Sequence, residues 1–377
     1  MNILWIPHTS WRVPQRAHLF CRALAERHTV HVTDWAADFT RPADFFSRRY
    51  LRNVFYRRFQ DGNITVHGVP RLTPAIFSPT LRRFNTRLFA NLVARLIAEY
   101  RIDVVVGTFV CPPPQAPRLI FDWFDDNAAY WRAYGRWPAY ADEIETIEQS
   151  YLQRAEAVVA VSSVLAERAR QQRDPATVHW IPNGVERARY QAANGDRVRR
   201  QLGIASQQLT IGFVSALGEF SGLTRLLQAF SMLQDERLAL LVVGDGPQLL
   251  SARAWVNRHG LKNVFFTGKV PFSEVPDYMA ALQVGVLPFD KTPFTEAASP
   301  IKIFEYSAAG LPVVSTDLEE VRRMAFPNVI LVEDNPESLA QGICQALHRS
   351  KAVPPQIEQY DIHYLARRYE EILTGNI

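Results

Sequence analysis

Thr295-Glu-Ala-Ala-Ser-Pro-Ile-Lys-Ile-Phe-Glu-Tyr-Ser-Ala-Ala-Gly-Leu-Pro-Val-Val314 decides how this chain is read. Ser299 is a residue type that caps helix N-termini, and Pro300 suits the first helical position. Gly310 suits the left-handed position just past a helix end, and Pro312 bars any continuation. Leu311 to Val314 then reads as a buried strand. A short helix therefore starts at a loop of small residues and feeds a strand. The free N–H groups at such a start favour an anion. Lys302 sits in the first turn, where the helix dipole disfavours a cation unless an anion lies beside it. Glu305 is three residues on and shares its face. A basic group for phosphate and a carboxylate for sugar hydroxyls, one turn apart, point to a nucleotide-sugar site. The same residues also suit an ordinary capped helix with a solvated lysine and glutamate.

Working outward, the chain alternates strand-like and helix-like segments from end to end, the pattern of parallel α/β layers. Strands are expected near 2–6, 29–33, 63–67, 103–107, 118–122, 157–161 and 178–181. Helices are expected near 14–27, 80–99, 138–153 and 163–171. After the turn signal Ile181-Pro-Asn-Gly-Val185 the alternation restarts. Strands follow at 209–215, 238–243, 264–266 and 284–287, with helices near 222–234, 247–259 and 273–281. A last helix is expected near 360–373.

A chain of 377 residues most naturally forms two domains. Hydrophobic residues at 47% and charged residues at 21% are ordinary for a soluble globular protein. No apolar run approaches the ~18–20 residues that cross a bilayer. Met1-Asn-Ile-Leu-Trp-Ile-Pro7 reads as a short strand and not as a signal peptide. Cys21, Cys111 and Cys344 are far apart and lack metal spacing, so buried free thiols in a reducing cytoplasm are expected. The net charge of +4 conceals an asymmetry: residues 1–110 hold 16 arginines against 7 acids, and the remainder 26 basic against 31 acidic residues. Basic charge gathered in the N-terminal third suits an anionic surface, an anionic acceptor or a phosphate-bearing lipid. Nucleic acid is disfavoured, because no recognised binding module accompanies it.

The 295–314 stretch resembles the donor-binding element of GT-B glycosyltransferases. Ala157–Ser163 with Ile181–Val185, and the whole of 209–315, extend that resemblance over most of the chain. The Ser-Pro-x-Lys variant at Ser299–Lys302 looks like the subgroup that includes xanthan-type glucuronosyltransferases. The resemblance implies an α/β chain of two Rossmann-like domains facing across a cleft. Residues 1–185 would bind the acceptor and 186–358 the donor, with 359–377 a helix packing back on the first domain. It also implies that Glu305 holds the ribose hydroxyls and Lys302 the diphosphate, with Ser299, Pro300, Ile301 and Gly218 at the same donor site. Many members carry a second glutamate where this chain has Ala297; Glu296, one residue away, is the nearest substitute. Many also place basic residues near Ala216 and Ser221, and this chain has neither. Lys302 and the helix start are then the natural replacements, with Arg225 expected to face solvent.

Other stretches add candidates. Phe121-Asp-Trp-Phe-Asp-Asp-Asn127 places three carboxylates at the end of an expected strand. Their mutual repulsion raises at least one pKa. Laid on the subgroup's motif, Asp125 takes the place of the general base that removes the acceptor proton, with Asp126 and Asp122 as alternatives. If Asp125 is the base, direct displacement with inversion follows by analogy. The segment also suits a loop that caps the next helix through Asp126 or Asn127. In His8-Thr-Ser-Trp-Arg-Val-Pro-Gln-Arg16, Trp11 could stack on an acceptor sugar, while Arg12 or Arg16 holds a carboxylate or phosphate. Val243-Gly-Asp-Gly-Pro247 lacks the third glycine of a dinucleotide fingerprint and reads as a tight turn. Phe45–Phe59 mixes aromatic and basic residues at roughly helical spacing and suits an anionic membrane; 81–100 reads as a core-packed helix with a solvated arginine face.

No metal cluster or Asp-x-Asp pair is legible, so no metal and no cofactor are expected. The expectation is a metal-independent glycosyltransferase acting on a nucleoside-diphosphate sugar, with a UDP-sugar favoured. The acceptor would be a saccharide or lipid-linked saccharide of bacterial polysaccharide assembly. Its place would be cytoplasmic or peripheral on the inner face of the plasma membrane. A catalytically silent GT-B-like subunit that binds a partner glycosyltransferase is the alternative, and another nucleotide-sugar enzyme such as an epimerase a third.

Overall fold

The computed structural model describes residues 1–7, 10–11, 15–34, 54–72, 78–108, 112–113, 115–135 and 138–375. Two compact units emerge. One comprises Met1–Ala128, Trp137–Ile181 and Leu365–Ile377; the other comprises Ala129–Arg136 and Pro182–Tyr364.

The first unit is built on a sheet of eight described strands: β1 (Asn2–Ile6), β2 (Thr29–Asp34), β3 (Arg57–Asp61), β4 (Ile64–Gly68), β5 (Val104–Gly107), β6 (Leu119–Trp123), β7 (Ala157–Ala160) and β8 (Val178–Trp180). Their spatial order is β3-β4-β2-β1-β5-β6-β7-β8. All neighbours are parallel except β3 and β4. Ile3, Leu4, Trp5 and Ile6 are fully buried, as a strand covered on both faces requires. Tyr369, on the helix Ile362–Thr374, packs its ring 5.2 Å from both Trp5 and Phe20.

The strand β3 corrects the helical reading of 45–59 at its end, from Arg57 to Phe59. Arg57 to Asp61 pair antiparallel with Ile64 to Gly68 across the two-residue loop Gly62-Asn63, with Gly62 at φ +58°. That loop is a hairpin signal, and it outweighs the aromatic–basic spacing of the residues before it. Residues 45–53 of that run lie outside the described residues. The helix Pro79–Tyr100 does bury one stripe, Asn85, Phe89, Leu92, Val93 and Leu96, and leaves Arg83 and Arg87 exposed.

The second unit carries six described strands, β9 (Leu209–Val214), β10 (Leu238–Val243), β11 (Val264–Gly268), β12 (Val284–Leu287), β13 (Val313–Thr316) and β14 (Val329–Val332). Their order is β11-β10-β9-β12-β13-β14, all parallel. Both units therefore have the Rossmann-like architecture expected. Leu238–Val243 is buried at every position, which matches its unbroken apolar run. Two glycines after β10 allow its end to press against the end of β9. Gly244, at φ +135°, would place a Cβ 1.8 Å from the Ser215 carbonyl oxygen, and Gly246 one 2.6 Å from that of Leu217. The tight-turn reading of 243–247 thus has a steric cause.

Cys21 is buried, whereas Cys344 is exposed, contrary to expectation. It lies on the outer side of the helix Pro336–Leu347, whose inner side is Leu339, Ala340, Ile343 and Ala346. Cys111 lies outside the described residues. Among the described residues no helix is long and apolar enough to cross a membrane.

Candidate donor and acid sites

In the second unit, the helix Ile301–Ala308 follows the helix Pro293–Ala297 and leads into β13. Its end is as expected: Gly310 takes φ +68°, and Leu311 N–H donates to the Tyr306 carbonyl at 3.0 Å. Its start differs. Pro300, at φ −68° and ψ 114°, holds the cap position, and no side chain caps the helix. Ser299 is one residue too early to serve. Its hydroxyl is buried without a hydrogen-bond partner, while its carbonyl accepts from the Asn183 carboxamide at 2.6 Å. The Oδ1 of Asn183 is likewise buried and unpartnered.

Lys302 and Glu305 meet as their spacing requires: Lys302 Nζ donates to Glu305 Oε2. Glu305 is 3% exposed, and the lysine side chain is mostly covered. The ring of Tyr306, next along the helix, lies flat against β12 and donates toward the sheet. Gly285 permits this, since a Cβ there would fall 2.7 Å from the ring. Tyr306 Oη accepts from the Val214 N–H at 3.0 Å. The face bearing Lys302 and Glu305 is thereby held in one orientation relative to the sheet. Tyr190, which the sequence reading did not single out, is buried on the helix Arg187–Gln191 that packs against this one.

Three neighbouring positions resolve differently. Ala297 is fully buried. Glu296 does not stand in for a carboxylate there: its Oε2 accepts from Glu319 N–H at 2.6 Å, capping the helix Glu319–Met324, and its Oε1 lies 3.5 Å from Lys291 Nζ. Arg225 does not face solvent. It is mostly buried, 2.5 Å from both Asp290 and Asp334, and donates to the Pro288 carbonyl at 2.8 Å. Two carboxylates already neutralise it, so it has little charge to offer a diphosphate. Gly218 lies in the loop after β9 at φ −76°, a backbone any residue adopts, although a Cβ there would lie 3.2 Å from the Phe220 ring. Gly222 in the same loop is the demanding one, at φ +63° with the Pro288 carbonyl oxygen 1.6 Å from where a Cβ would sit.

In the first unit the acids at the end of β6 separate into three environments. Asp122 is buried and paired with Arg16, whose Nε lies 3.1 Å and 3.2 Å from its two oxygens. Arg16 is itself 6% exposed, so it is an internal counter-ion and not the surface acceptor ligand expected. Asp126 pairs with Arg168 at 2.6 Å. Asp125 is half-buried. Burial first, and the charge of Asp126 second, push its carboxyl up to about 7, against the pull of Arg16. The expected repulsion is present but ranks below desolvation.

A fourth carboxyl joins them. Glu148, on the helix Pro138–Arg154, is 3% exposed and accepts from the Asn127 backbone N–H at 3.2 Å. Burial, then the charge of Asp126, push it up to about 8. The Asn127 carboxamide in turn donates to the Asp125 carbonyl at 3.0 Å, so Glu148 braces the turn that carries Asp125. A signal for it exists in the sequence: Ala141, Ile144, Glu148 and Leu152 share one stripe of the helix, and an acid on an apolar stripe is unusual.

Trp11 is also internal. It is 4% exposed, stacks on His18 at 3.8 Å, and donates its indole N–H to Asp61 at 2.8 Å. Its ring face is covered by an imidazole and is not open to a sugar. Arg12 lies outside the described residues.

Residues 13–189 match the family Glycosyltransferase Family 4, and residues 208–349 match Glycosyl transferases group 1. Both halves of the chain are glycosyltransferase domains on a GT-B fold. Two curated relatives bear on these domains. The putative teichuronic acid biosynthesis glycosyltransferase TuaH of Bacillus subtilis is 29% identical over 189 residues, 49% of this chain and 46% of that protein. The putative colanic acid biosynthesis glycosyl transferase WcaI of Escherichia coli is 28% identical over 289 residues, 73% and 65% respectively. The chain thus covers less than two thirds of either. Among solved structures, the lipopolysaccharide glycosyltransferase WaaG superposes with a TM-score of 0.73 at 19% identity, covering 99% of this chain and 100% of that one. Anabaena HepE, in complex with UDP-glucose, superposes with 0.70 at 17% identity, covering both chains in full. At these identities the superpositions speak to the fold of the two glycosyltransferase domains.

Proposed function

We propose that this chain transfers a sugar from a nucleoside-diphosphate donor, a UDP-sugar, to a saccharide or lipid-linked saccharide acceptor in bacterial polysaccharide or glycoconjugate assembly. The names of TuaH and WcaI support the polysaccharide setting, and the UDP-glucose held by HepE supports the uridine. The observation that carries the reading is the start of the Ile301–Ala308 helix. A lysine, a buried carboxylate and a buried serine hydroxyl without a partner gather at a helix N-terminus.

In this reading Lys302 and the helix start hold the diphosphate, with Ser299, Pro300 and Ile301 shaping the approach and Gly218 in the neighbouring loop. Glu305 accepts from the ribose hydroxyls. The acceptor oxygen bonds to the anomeric carbon as the bond to the diphosphate oxygen breaks, and Lys302 takes up the charge that develops on the leaving group without a metal. Asp125 accepts the acceptor's proton, and a carboxylate that titrates near neutrality suits that task. Exposed Arg83 and Arg87 flank Phe84, which is 47% exposed, on one helix face. Such a face suits an anionic membrane where lipid-linked acceptors reside.

The test is calorimetry with UDP and GDP on the intact chain and on Lys302→Ala. UDP binding that falls at least tenfold in the variant, with an unchanged melting temperature, is the expected result. Unchanged affinity removes Lys302 from the site. Glu296 is engaged with the next helix and does not replace the carboxylate that many family members carry at the position of Ala297, which favours the second reading, a catalytically silent subunit. Binding of neither nucleotide selects it.

A further inference from the structure

The strand order β11-β10-β9-β12-β13-β14 reverses between β9 and β12. The chain runs outward from β9 to β11 and then returns to the other side of β9. In parallel sheets a ligand binds in the crevice outside the strand ends at such a reversal. One lip of that crevice is the turn at 215–222, which follows β9. No lysine or arginine stands in it, and Ser221 is fully buried. What this lip brings to an anionic ligand therefore depends on where its backbone points.

Four successive carbonyls of the turn are taken by donors of the protein. Leu217 accepts from the Gln248 N–H at 3.2 Å, Gly218 from the Ser221 N–H at 3.1 Å, Glu219 from the Gln248 carboxamide at 3.0 Å, and Phe220 from the Asp290 N–H at 3.0 Å. Two of the four go to Gln248. Its Oε1 also accepts from the Ser221 hydroxyl at 2.9 Å. The Glu219 carbonyl can only accept, so it fixes the carboxamide nitrogen toward itself and the oxygen toward Ser221. Gln248 holds the cap position of the helix Leu249–His259, where a short polar side chain commonly bonds its own helix. No side chain caps that helix, and the Gln248 carboxamide reaches across to the turn instead.

A carbonyl oxygen and a phosphate oxygen are both acceptors, so a carbonyl that swings into the crevice repels a diphosphate. Asp290, from the loop after β12, restrains Phe220 on one side. Gln248, from the loop after β10, restrains Leu217 and Glu219 on the other. We propose that Gln248 is a positioning residue that holds the Glu219 carbonyl away from the crevice and so keeps the 217–221 turn open to the diphosphate of the donor. This rests on the donor reading proposed above.

The experiment measures UDP by calorimetry, and UMP by its displacement of UDP, on the full chain and on Gln248→Met. That substitution keeps the length of the side chain and removes both of its hydrogen bonds. UDP affinity should fall about tenfold, the scale of one hydrogen bond to a charged group. UMP affinity should fall by less than about threefold, because UMP brings one phosphate fewer to the turn. Ser221→Ala should show the same selectivity with a smaller loss, and it carries the test should Gln248→Met fail to fold. The double variant should lose no more than Gln248→Met alone, since the two side chains act through one brace. A parent that binds no UDP overturns the donor reading, and the inference with it. Equal losses for the two ligands, no loss for either, additive losses in the double variant, or UMP that does not displace UDP from the parent overturn the inference alone.

Discussion

Asn183 and Ser299 lie 116 residues apart, and the carboxamide of the first donates to the carbonyl of the second at 2.6 Å. Each keeps one further buried polar atom, Oδ1 and Oγ, without a partner. A buried unpartnered hydroxyl costs stability, so deleting it should not unfold the protein. Ser299→Ala is expected to melt at or slightly above the parent temperature while UDP affinity falls severalfold. A lower melting temperature with full UDP affinity would show that the hydroxyl serves the fold.

Asp125→Asn should leave UDP affinity unchanged and depress kcat by a factor of about 10² to 10⁴, the range for general-base removal. The parent rate should rise with pH through about 7, where Asp125 loses its proton, and level off above it. A pH–rate profile flat from pH 5 to 8, or an active variant, would move the role to another group.

Glu148 predicts a pH dependence of stability whose sign is opposite to the usual carboxylate case. Its folded pKa of about 8 lies above the ordinary glutamate value, so the folded chain binds the extra proton. Its contribution is complete at acid pH below that ordinary value and is lost as pH rises toward about 8. Each unit of difference is worth roughly 1.4 kcal/mol at most. Urea denaturation at pH 6 and pH 8 should show the loss in the parent and a flatter response in Glu148→Gln. Identical slopes in the two proteins would refute it.

Arg16→Ala strands the buried Asp122 carboxylate, a change that typically costs about 3–5 kcal/mol. The denaturation midpoint should drop accordingly, and Arg16→Met combined with Asp122→Leu should recover much of the loss. If Arg16→Ala keeps its stability but loses acceptor affinity, the arginine belongs to the acceptor surface after all.

Much of the fold was legible because its signals are local. Unbroken apolar runs such as Leu238–Val243 announce buried parallel strands, and every strand expected in the first half is present. Arg57–Asp61 was missed because the hairpin signal of Gly62-Asn63 went unread beside the aromatic and basic spacing of the residues before it. β14 and the helix Pro336–Leu347 were not among the expected elements. Within the site, the Lys302–Glu305 pair followed from helical period alone. Asn183 and Arg168 had no such signal, because each meets its partner only through the packing of separate elements.

The sequence by itself determined two α/β domains, a helix with a defined stop at Gly310, and a lysine and glutamate on one helix face. These are consequences of backbone geometry over a few residues, and no distant contact alters them. Tertiary structure alone decided which charges were already spent. Trp11 went beneath His18, Arg16 to Asp122, Arg225 between Asp290 and Asp334, and Glu296 to a helix start. A side chain's availability depends on which partners the fold brings within about 3 Å, and that distance is set by elements far apart in the chain.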